Sequence, residues 1–170
     1  EVFAPVVSWS TVRLLLFLAN TTKLASRQID FVQAFTQAAP DRDIYMEIPA
    51  GWTVDGPAAN NNNNSRPTLR QAKDGERPNK EFVLKLKRNL YGTRGGARAW
   101  WLHLRKGLMK RQFVQSETEP CLFFRNDCIL ICYTDDCCLF GPNQKALDNV
   151  IADLRKEFVL EDEGEIKDFL

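Results

Sequence analysis

The pattern of hydrophobic and polar positions along the chain predicts a mixture of helices and strands. Apolar residues recur at helical spacing over 9–22, where Ser8 or Ser10 can cap the start of a helix. The other predicted elements are strands over 24–30, 44–48, 82–87, 122–125, 128–133 and 137–140, a helical turn over 34–37, and helices over 97–111 and from 143 to about 158. Helices and antiparallel hairpins do not alternate regularly, which favours an α+β fold over a doubly wound parallel sheet.

An acidic pair interrupts the most apolar part of the chain. The run over 128–133 breaks at Thr134, Asp135 and Asp136 and resumes over 137–140. Successive side chains in a strand point to opposite faces, so two adjacent aspartates within a strand would force one carboxylate into the core. The sequence therefore predicts a tight hairpin with Asp135 and Asp136 at its tip.

A third carboxylate, Asp30, ends another apolar stretch and can join the acidic pair if the two strands lie side by side. Neighbouring carboxylates repel unless a cation neutralises them, and Mg²⁺ prefers such oxygen ligands. Three carboxylates on adjacent strand ends would hold two metal ions about 4 Å apart, an arrangement used in phosphoryl transfer. Aspartate is also among the commonest turn residues, so the spacing alone leaves a solvated turn as the alternative.

The composition fits one ordinary domain or two small lobes that share a core. The 170 residues are 44% hydrophobic, and 23 Lys and Arg nearly balance 22 Asp and Glu. The net charge of +1 predicts no long-range attraction to a phosphate backbone, so a nucleic-acid surface requires local segregation of charge. The helix over 97–111 offers such a surface because Arg98 and Arg105 fall opposite its apolar face, although exposed arginines on a helix are ordinarily only solubilising.

A polar stretch from about 53 to 80 contains Pro, Gly, Asn and charged residues but almost no large apolar side chains. It includes a run of asparagines at 60–64. Such a segment buries too little apolar surface to order itself, so the sequence predicts a flexible insertion here.

The cysteines predict free thiols in a reducing compartment. All five lie within 121–138, and their odd number and crowding are unlike a secreted disulfide framework. Their spacing lacks paired C-x-x-C units, which argues against zinc, and the only histidine, His103, is predicted on a solvated helix face. The apolar run over 12–19 is too short to span a bilayer and contains Arg13, so no membrane anchor is predicted.

Several segments, in order, resemble the reverse transcriptases of Ty1/copia retrotransposons. They are EVFAPVVSWSTVRLLL, QIDFVQAF, IYMEIPAGW, LKLKRNLYGTRGGARAWW, FVQSETEPCLFF, ILICYTDDCCLFG and LRKEFVLEDEGEIKDFL. Each segment alone is weak evidence, whereas the ordered set is specific. The resemblance covers nearly the whole chain except the Asn-rich insertion.

This resemblance implies an antiparallel palm sheet packed on helices, with partial fingers and no thumb, as a 1–170 fragment of a longer Pol polyprotein. It implies an RNA-directed DNA polymerase that adds deoxynucleotides to a primer 3′-hydroxyl, with Asp30, Asp135 and Asp136 holding two Mg²⁺ ions, for which Mn²⁺ can substitute. The implied partners are RNA and DNA template, primer, deoxynucleoside triphosphates and the RNase H and integrase domains. The implied location is cytoplasmic, in a virus-like particle, with access to the nucleus.

The resemblance also assigns a nucleotide pocket. It places Phe35 beneath the nucleotide sugar, where a bulky ring would clash with a ribose 2′-hydroxyl, and it places Phe31 and Ala34 in the lining of the same pocket. Without the resemblance, Phe35 reads as a core aromatic residue four positions after Phe31. Tyr91 and Gly92 would touch the nucleotide or the template. Two nearby cations, Arg94 and Arg98, would contact nucleic acid.

The chain departs from the family pattern in two places. Thr134 stands where the family usually has valine or a similar apolar residue. Gly95, Gly96 and Ala97 stand where the family generally shows a polar residue followed by Ser-Pro. The additional glycines predict a looser turn before the helix and remove a proline that favours a helix start.

Two rival interpretations accompany the polymerase. A catalytically inactive nucleic-acid-binding remnant of a decayed retroelement would bind primer–template without metal-dependent nucleotide binding. A structural protein that uses the same fold for assembly would do neither. The intact Asp30, Asp135 and Asp136 favour the enzyme over both rivals.

Overall fold

A computed structural model describes residues 3–55, 67–126 and 128–166 of the chain. The elements are α1 (Trp9–Thr22), β1 (Ala25–Asp30), α2 (Ala34–Gln37), β2 (Tyr45–Glu47), β3 (Trp52–Asp55), β4 (Thr68–Gln71), β5 (Val83–Lys85), α3 (Gly96–Lys110), β6 (Val114–Gln115), β7 (Leu122–Arg125), β8 (Cys128–Tyr133), β9 (Asp136–Gly141), α4 (Gln144–Leu154) and β10 (Glu161–Gly164). They form two compact units. The first combines the chain up to Ala39 with the chain from Arg88 onward, and the second is Pro40–Lys87.

The first unit is built on a six-stranded sheet in the order β10-β1-β9-β8-β7-β6. Each neighbouring pair in this sheet is antiparallel. The mixture of helices with an antiparallel sheet confirms the α+β class predicted from the sequence.

Local capping fixes where two of the helices begin. The Ser8 hydroxyl accepts from the Thr11 amide at 3.2 Å, so of the two predicted caps Ser8 starts α1. The Asn143 side chain accepts from the Ala146 amide at 2.9 Å and starts α4 as predicted. Helix α4 ends at Leu154 rather than near 158, because the following turn directs Phe158 into the core.

The core lies on both faces of the sheet. Alternation along β9 sends Cys137 and Leu139 into a cluster with helices α2, α3 and α4, and sends Cys138 and Phe140 into a second cluster with α1. Helix α3 contributes the buried side chains of Trp100, Leu104 and Leu108, the apolar face of the predicted amphipathic helix. The strands that carry the acidic residues are therefore packed on each side.

The second unit contains two antiparallel strand pairs, β2 with β5 and β3 with β4. The β3–β4 pair lies largely within the stretch for which the sequence predicts no strand, so this part of the expectation is corrected. Thr53 and Val54 are buried, and the Arg70 guanidinium bridges Asp55 and Glu76 at 2.9 Å each. These polar contacts support strands that a count of apolar residues does not reveal. The asparagine run falls outside the described residues, and the flexibility of the insertion stays a prediction.

The five cysteines are free and buried, as predicted from their spacing. The expectation for His103 is corrected, because its ring is half-buried with its centroid 5.3 Å from that of Phe158. Desolvation at this position lowers the pKa of His103. Within the described ranges, no helix combines the length and apolar character needed to cross a membrane.

Candidate active site

Three carboxylates meet at one end of the six-stranded sheet. Asp30 is the last residue of β1 and Asp136 is the first of β9, and the two are direct cross-strand partners. Asp135 lies in the turn just before β9, and its carbonyl accepts from the Phe31 amide at 3.1 Å. Main-chain pairing thus brings together the three aspartates that the sequence singled out.

The electrostatics of this cluster are unfavourable in the absence of a cation. Partial burial, followed by the charges of Asp135 and Asp136, raises the pKa of Asp30, and β10 adds smaller effects from Glu163 and Glu161. Partial burial and the charge of Asp135 raise the pKa of Asp136 as well. Among the described residues, no Lys or Arg forms an ion pair with any of the three aspartates. No basic side chain in the described part of the chain therefore offsets the negative charge of the cluster by a direct ion pair.

The donor chemistry suits a hard divalent cation, since carboxylate oxygens are the ligands that Mg²⁺ prefers. The side chains do not form a closed cage as they stand. In residues 3–55, 67–126 and 128–166, no group of three His, Cys, Asp or Glu side chains is close enough to hold an ion.

A hydrogen bond from the core fixes the tip of the acidic hairpin. Thr134 adopts a left-handed conformation with φ of 60°, and its carbonyl accepts from the Trp100 indole N–H at 2.8 Å. Trp100 belongs to helix α3, and the rest of its side chain is buried in the core. The sequence predicts burial of at least one of the adjacent Trp100 and Trp101, with stacking on bases as the alternative, and it does not predict this bond. The indole N–H was the available signal, because a buried tryptophan usually finds an acceptor.

An aromatic pair lies beside the carboxylates. The rings of Phe35 and Tyr91 stack with centroids 4.5 Å apart and planes 17° apart. The Tyr91 hydroxyl lies 3.5 Å from Asp135 Oδ2, and partial burial, then the charge of Asp135, raises the pKa of Tyr91. Phe35 is half-buried, and Tyr91 is 56% exposed. The structure thus joins two residues that the sequence analysis had placed near the nucleotide separately.

The side chains of Phe31 and Ala34 lie in the core. Both are fully buried, and the Phe31 ring packs edge-on against Trp100 and Phe158 at centroid distances of 5.2 and 5.4 Å. Their place in the lining of a nucleotide pocket stays a prediction. Any nucleotide contact at these two positions would have to come from the main chain.

The segment before α3 is ordered despite its glycines. Gly92 has φ of +88°, a conformation that suits glycine. Helix α3 begins at Gly96 without a side-chain cap on Gly95, so loss of the family's proline does not prevent the helix start. A Cβ at Gly96 would lie 2.7 Å from Thr93 Oγ1 and 3.3 Å from Phe35 Cδ2. The turn is therefore tightly packed rather than loose.

The two predicted cations differ in their surroundings. Arg94 is exposed, whereas Arg98 is half-buried and donates to the Phe3 carbonyl at 3.2 Å. Arg98 thus holds the segment before α1 as well as facing outward. The structure leaves contact with nucleic acid as a prediction for both residues.

An antiparallel sheet packed on helices, with three aspartates brought to one end by the pairing of β1 with β9, defines an α+β protein with a concentrated acidic site. A family model described as reverse transcriptase (RNA-dependent DNA polymerase) matches residues 1–170. The chain therefore belongs to the reverse transcriptase family.

The curated relatives are plant transposon polyproteins. The chain is 27% identical over 175 residues to the Retrovirus-related Pol polyprotein from transposon TNT 1-94 of Nicotiana tabacum, covering 100% of this chain and 12% of that protein. It is 29% and 26% identical over 174 residues to the Retrovirus-related Pol polyproteins from transposons RE1 and RE2 of Arabidopsis thaliana, covering 100% of this chain and 10% of each. The chain thus spans roughly a tenth of the length of these relatives. No solved structure is significantly similar.

Proposed function

We propose that this chain is the fingers and palm core of an RNA-directed DNA polymerase from an LTR retrotransposon of the Ty1/copia type. The supporting observation is the direct pairing of Asp30 with Asp136 across β1 and β9, with Asp135 in the adjoining turn. In this proposal the first structural unit is the palm and the second, Pro40–Lys87, belongs to the fingers.

Each group near the carboxylates has a role in template-directed synthesis. Asp30, Asp135 and Asp136 would hold two Mg²⁺ ions, which lower the pKa of the primer 3′-hydroxyl and neutralise the triphosphate. The Phe35 ring excludes a ribose 2′-hydroxyl, and the main chain of Phe31 and Ala34 borders the same space. These groups contribute placement and charge rather than covalent chemistry.

Residues of the Tyr91 segment complete the proposed site. Tyr91 and Gly92 contact the nucleotide or the template, and Arg94 and Arg98 lie toward the phosphates. Because base pairing rather than the protein reads sequence, RNA and DNA templates are both accepted. RNase H and integrase domains of the same polyprotein are the proposed partners, in a cytoplasmic particle.

The direct test is extension of a DNA primer on an RNA template by the full-length parent polyprotein, with Mg²⁺ or Mn²⁺. The Asp135→Asn/Asp136→Asn variant is expected to abolish extension. An Asp41→Asn variant, which removes a carboxylate from an exposed position of the second unit, serves as the matched control and retains it. Extension that survives the double substitution would refute the assignment of the metal-binding residues.

A decayed element is the second candidate, and the departures from the family at 95–97 favour it. Such a remnant binds primer–template in a salt-sensitive manner but extends nothing. Retained duplex binding without extension by the intact parent would select this candidate over the polymerase.

A further inference from the structure

The ring of Phe35 is enclosed by groups outside its own helix. Tyr91 stacks on the ring with a centroid distance of 4.5 Å and an interplanar angle of 17°. Helix α3 approaches it at Gly96, where an added Cβ would lie 3.3 Å from Phe35 Cδ2. The position of the ring therefore depends on residues more than fifty positions further along the chain.

Helix α2 cannot fix this ring by itself. It has four residues, and Gln33 at its N-terminus is left-handed with φ of 48° and provides no side-chain cap. A single helical turn has little intrinsic stability, because nucleation is unfavourable and few hydrogen bonds follow. The Phe35 side chain is only half-buried against the main core cluster, so without Tyr91 its exposed face would be uncovered and a change of rotamer toward solvent would be easier.

The main chain sets where the Tyr91 ring lies. Tyr91 precedes Gly92, whose φ of +88° sets the direction of the turn. The hydroxyl lies 3.5 Å from Asp135 Oδ2, at the outer limit of a hydrogen bond. The ring therefore stands between the acidic hairpin and Phe35 without depending on its hydroxyl.

We propose that Tyr91 is a positioning residue for sugar selection: its ring holds the Phe35 ring in the orientation that excludes a ribose 2′-hydroxyl. This inference rests on the proposed polymerase function. The flat ring of Tyr91 performs the positioning, and its hydroxyl does not. Phe35 supplies the steric barrier, and Tyr91 determines whether the barrier stays in place.

The two parts of the Tyr91 side chain can be separated by substitution. Tyr91→Leu removes the stacking ring. The stabilisation by an aromatic pair corresponds to a factor of about 2 to 13 in an equilibrium or rate constant. We therefore expect roughly a tenfold loss of discrimination between deoxyguanosine and guanosine triphosphate. Tyr91→Phe keeps the ring and retains the discrimination, whatever it does to the rate. Gly96→Ala, whose added Cβ would lie 3.3 Å from Phe35 Cδ2, is expected to lower the discrimination as well.

The experiment is single-nucleotide extension opposite a template cytosine by the full-length parent, with kcat and KM measured for both nucleotides and Phe35→Ala as the reference for a lost barrier. The inference is supported if Phe35→Ala and Tyr91→Leu both lower the discrimination by changing kcat or KM for guanosine triphosphate, while Tyr91→Phe does not. It is overturned if Phe35→Ala relaxes discrimination and Tyr91→Leu leaves it intact, or if Tyr91→Phe relaxes it as much as Tyr91→Leu.

Failure of the broader function gives a different result. A parent that extends neither nucleotide overturns the proposed polymerase, and with it this inference. A melting curve for each variant ensures that folded proteins are compared. Should Tyr91→Leu melt below the assay temperature, Tyr91→Met supplies a second non-aromatic side chain at this exposed position.

Discussion

Asp30 and Asp136 face each other across the β1–β9 ladder, as direct cross-strand partners at the end of both strands. Like charges in this relationship are destabilising. The backbone thus imposes a repulsive contact that the remainder of the fold must tolerate.

The first prediction concerns the acidic cluster and pH, since partial burial and then the charge of Asp135 raise the pKa of Asp136. Because the pKa of Asp136 is raised in the folded protein, the folded state binds its proton more tightly than the unfolded state. The resulting stability is present below the ordinary aspartate pKa of 3.8 and is lost as the pH rises through the folded value. Asp136→Asn is therefore expected to raise the melting temperature at pH 7 by a few degrees, with the gain shrinking toward pH 4, in thermal melts without divalent ions.

Asp41→Asn is the control for removing one negative charge from an exposed position, and it should leave the melting temperature nearly unchanged. Added Mg²⁺ should stabilise the wild-type protein and not the Asp136→Asn variant, since only a ligand that binds the folded state raises stability. A variant less stable than wild type at pH 7 would contradict the electrostatic account.

The second prediction concerns the support of the acidic hairpin by Trp100. Trp100→Phe removes the indole donor to the Thr134 carbonyl while keeping an aromatic ring in the core. Loss of this bond and of part of the ring volume is expected to lower the free energy of unfolding by about 1–3 kcal/mol. Denaturant unfolding measures the change. Trp101→Phe is the control, because no hydrogen-bond partner is found for its buried indole N–H within the described part of the chain.

The third prediction concerns the backbone of Thr134. A β-branched residue with φ of 60° is strained, whereas asparagine tolerates the left-handed region. Thr134→Asn is expected to stabilise the protein by about 1 kcal/mol in the same assay. The same change at Thr22, the last residue of α1, should give no stabilisation, because Thr22 is helical there and its hydroxyl donates to the Leu18 carbonyl at 2.7 Å. Equal effects at both positions would show that Thr134 is not strained.

The fourth prediction concerns the packing of α3 beneath the site. A Cβ at Gly107 would lie 2.3 Å from Phe158 Cζ, so Gly107→Ala is expected to destabilise the protein by about 1–3 kcal/mol despite the better helix propensity of alanine. Phe158→Leu in the same chain shortens the opposing side chain. A double-mutant cycle should then show that the two substitutions together cost less than their sum. Simple additivity would mean that no steric conflict exists.

Local patterns predicted the local structure well. The helix over 9–22, the turn over 34–37, the Asn143 cap and the hairpin carrying Asp135 and Asp136 are all present. Each depends on residues close together in sequence, where periodicity and capping leave a direct signal. The β3–β4 pair was missed because polar contacts of Arg70, rather than an apolar face, support it.

The arrangement of the candidate site was less accessible to sequence reasoning. The sequence predicts that Asp30 and Asp136 meet only on the condition that their strands are neighbours. The residues of either strand do not determine the order of strands in the sheet. The stacking of Tyr91 on Phe35 and the bond from Trp100 to Thr134 both join elements that are distant in sequence. Full burial of the Phe31 side chain was not foreseen, because a family motif locates a residue along the chain and not the direction of its side chain.

The strand order has a consequence for how the protein is made. Strands β8 and β9 are close in sequence and form a hairpin. Strand β1 can pair with β9 only after β9, about a hundred residues further along the chain, has been synthesised. At about 5–20 residues per second, the ribosome leaves β1 without that partner for several seconds or more. Asp30 and Asp136 therefore come together only near the end of synthesis of this segment, and a nascent chain interrupted before β9 cannot assemble the site.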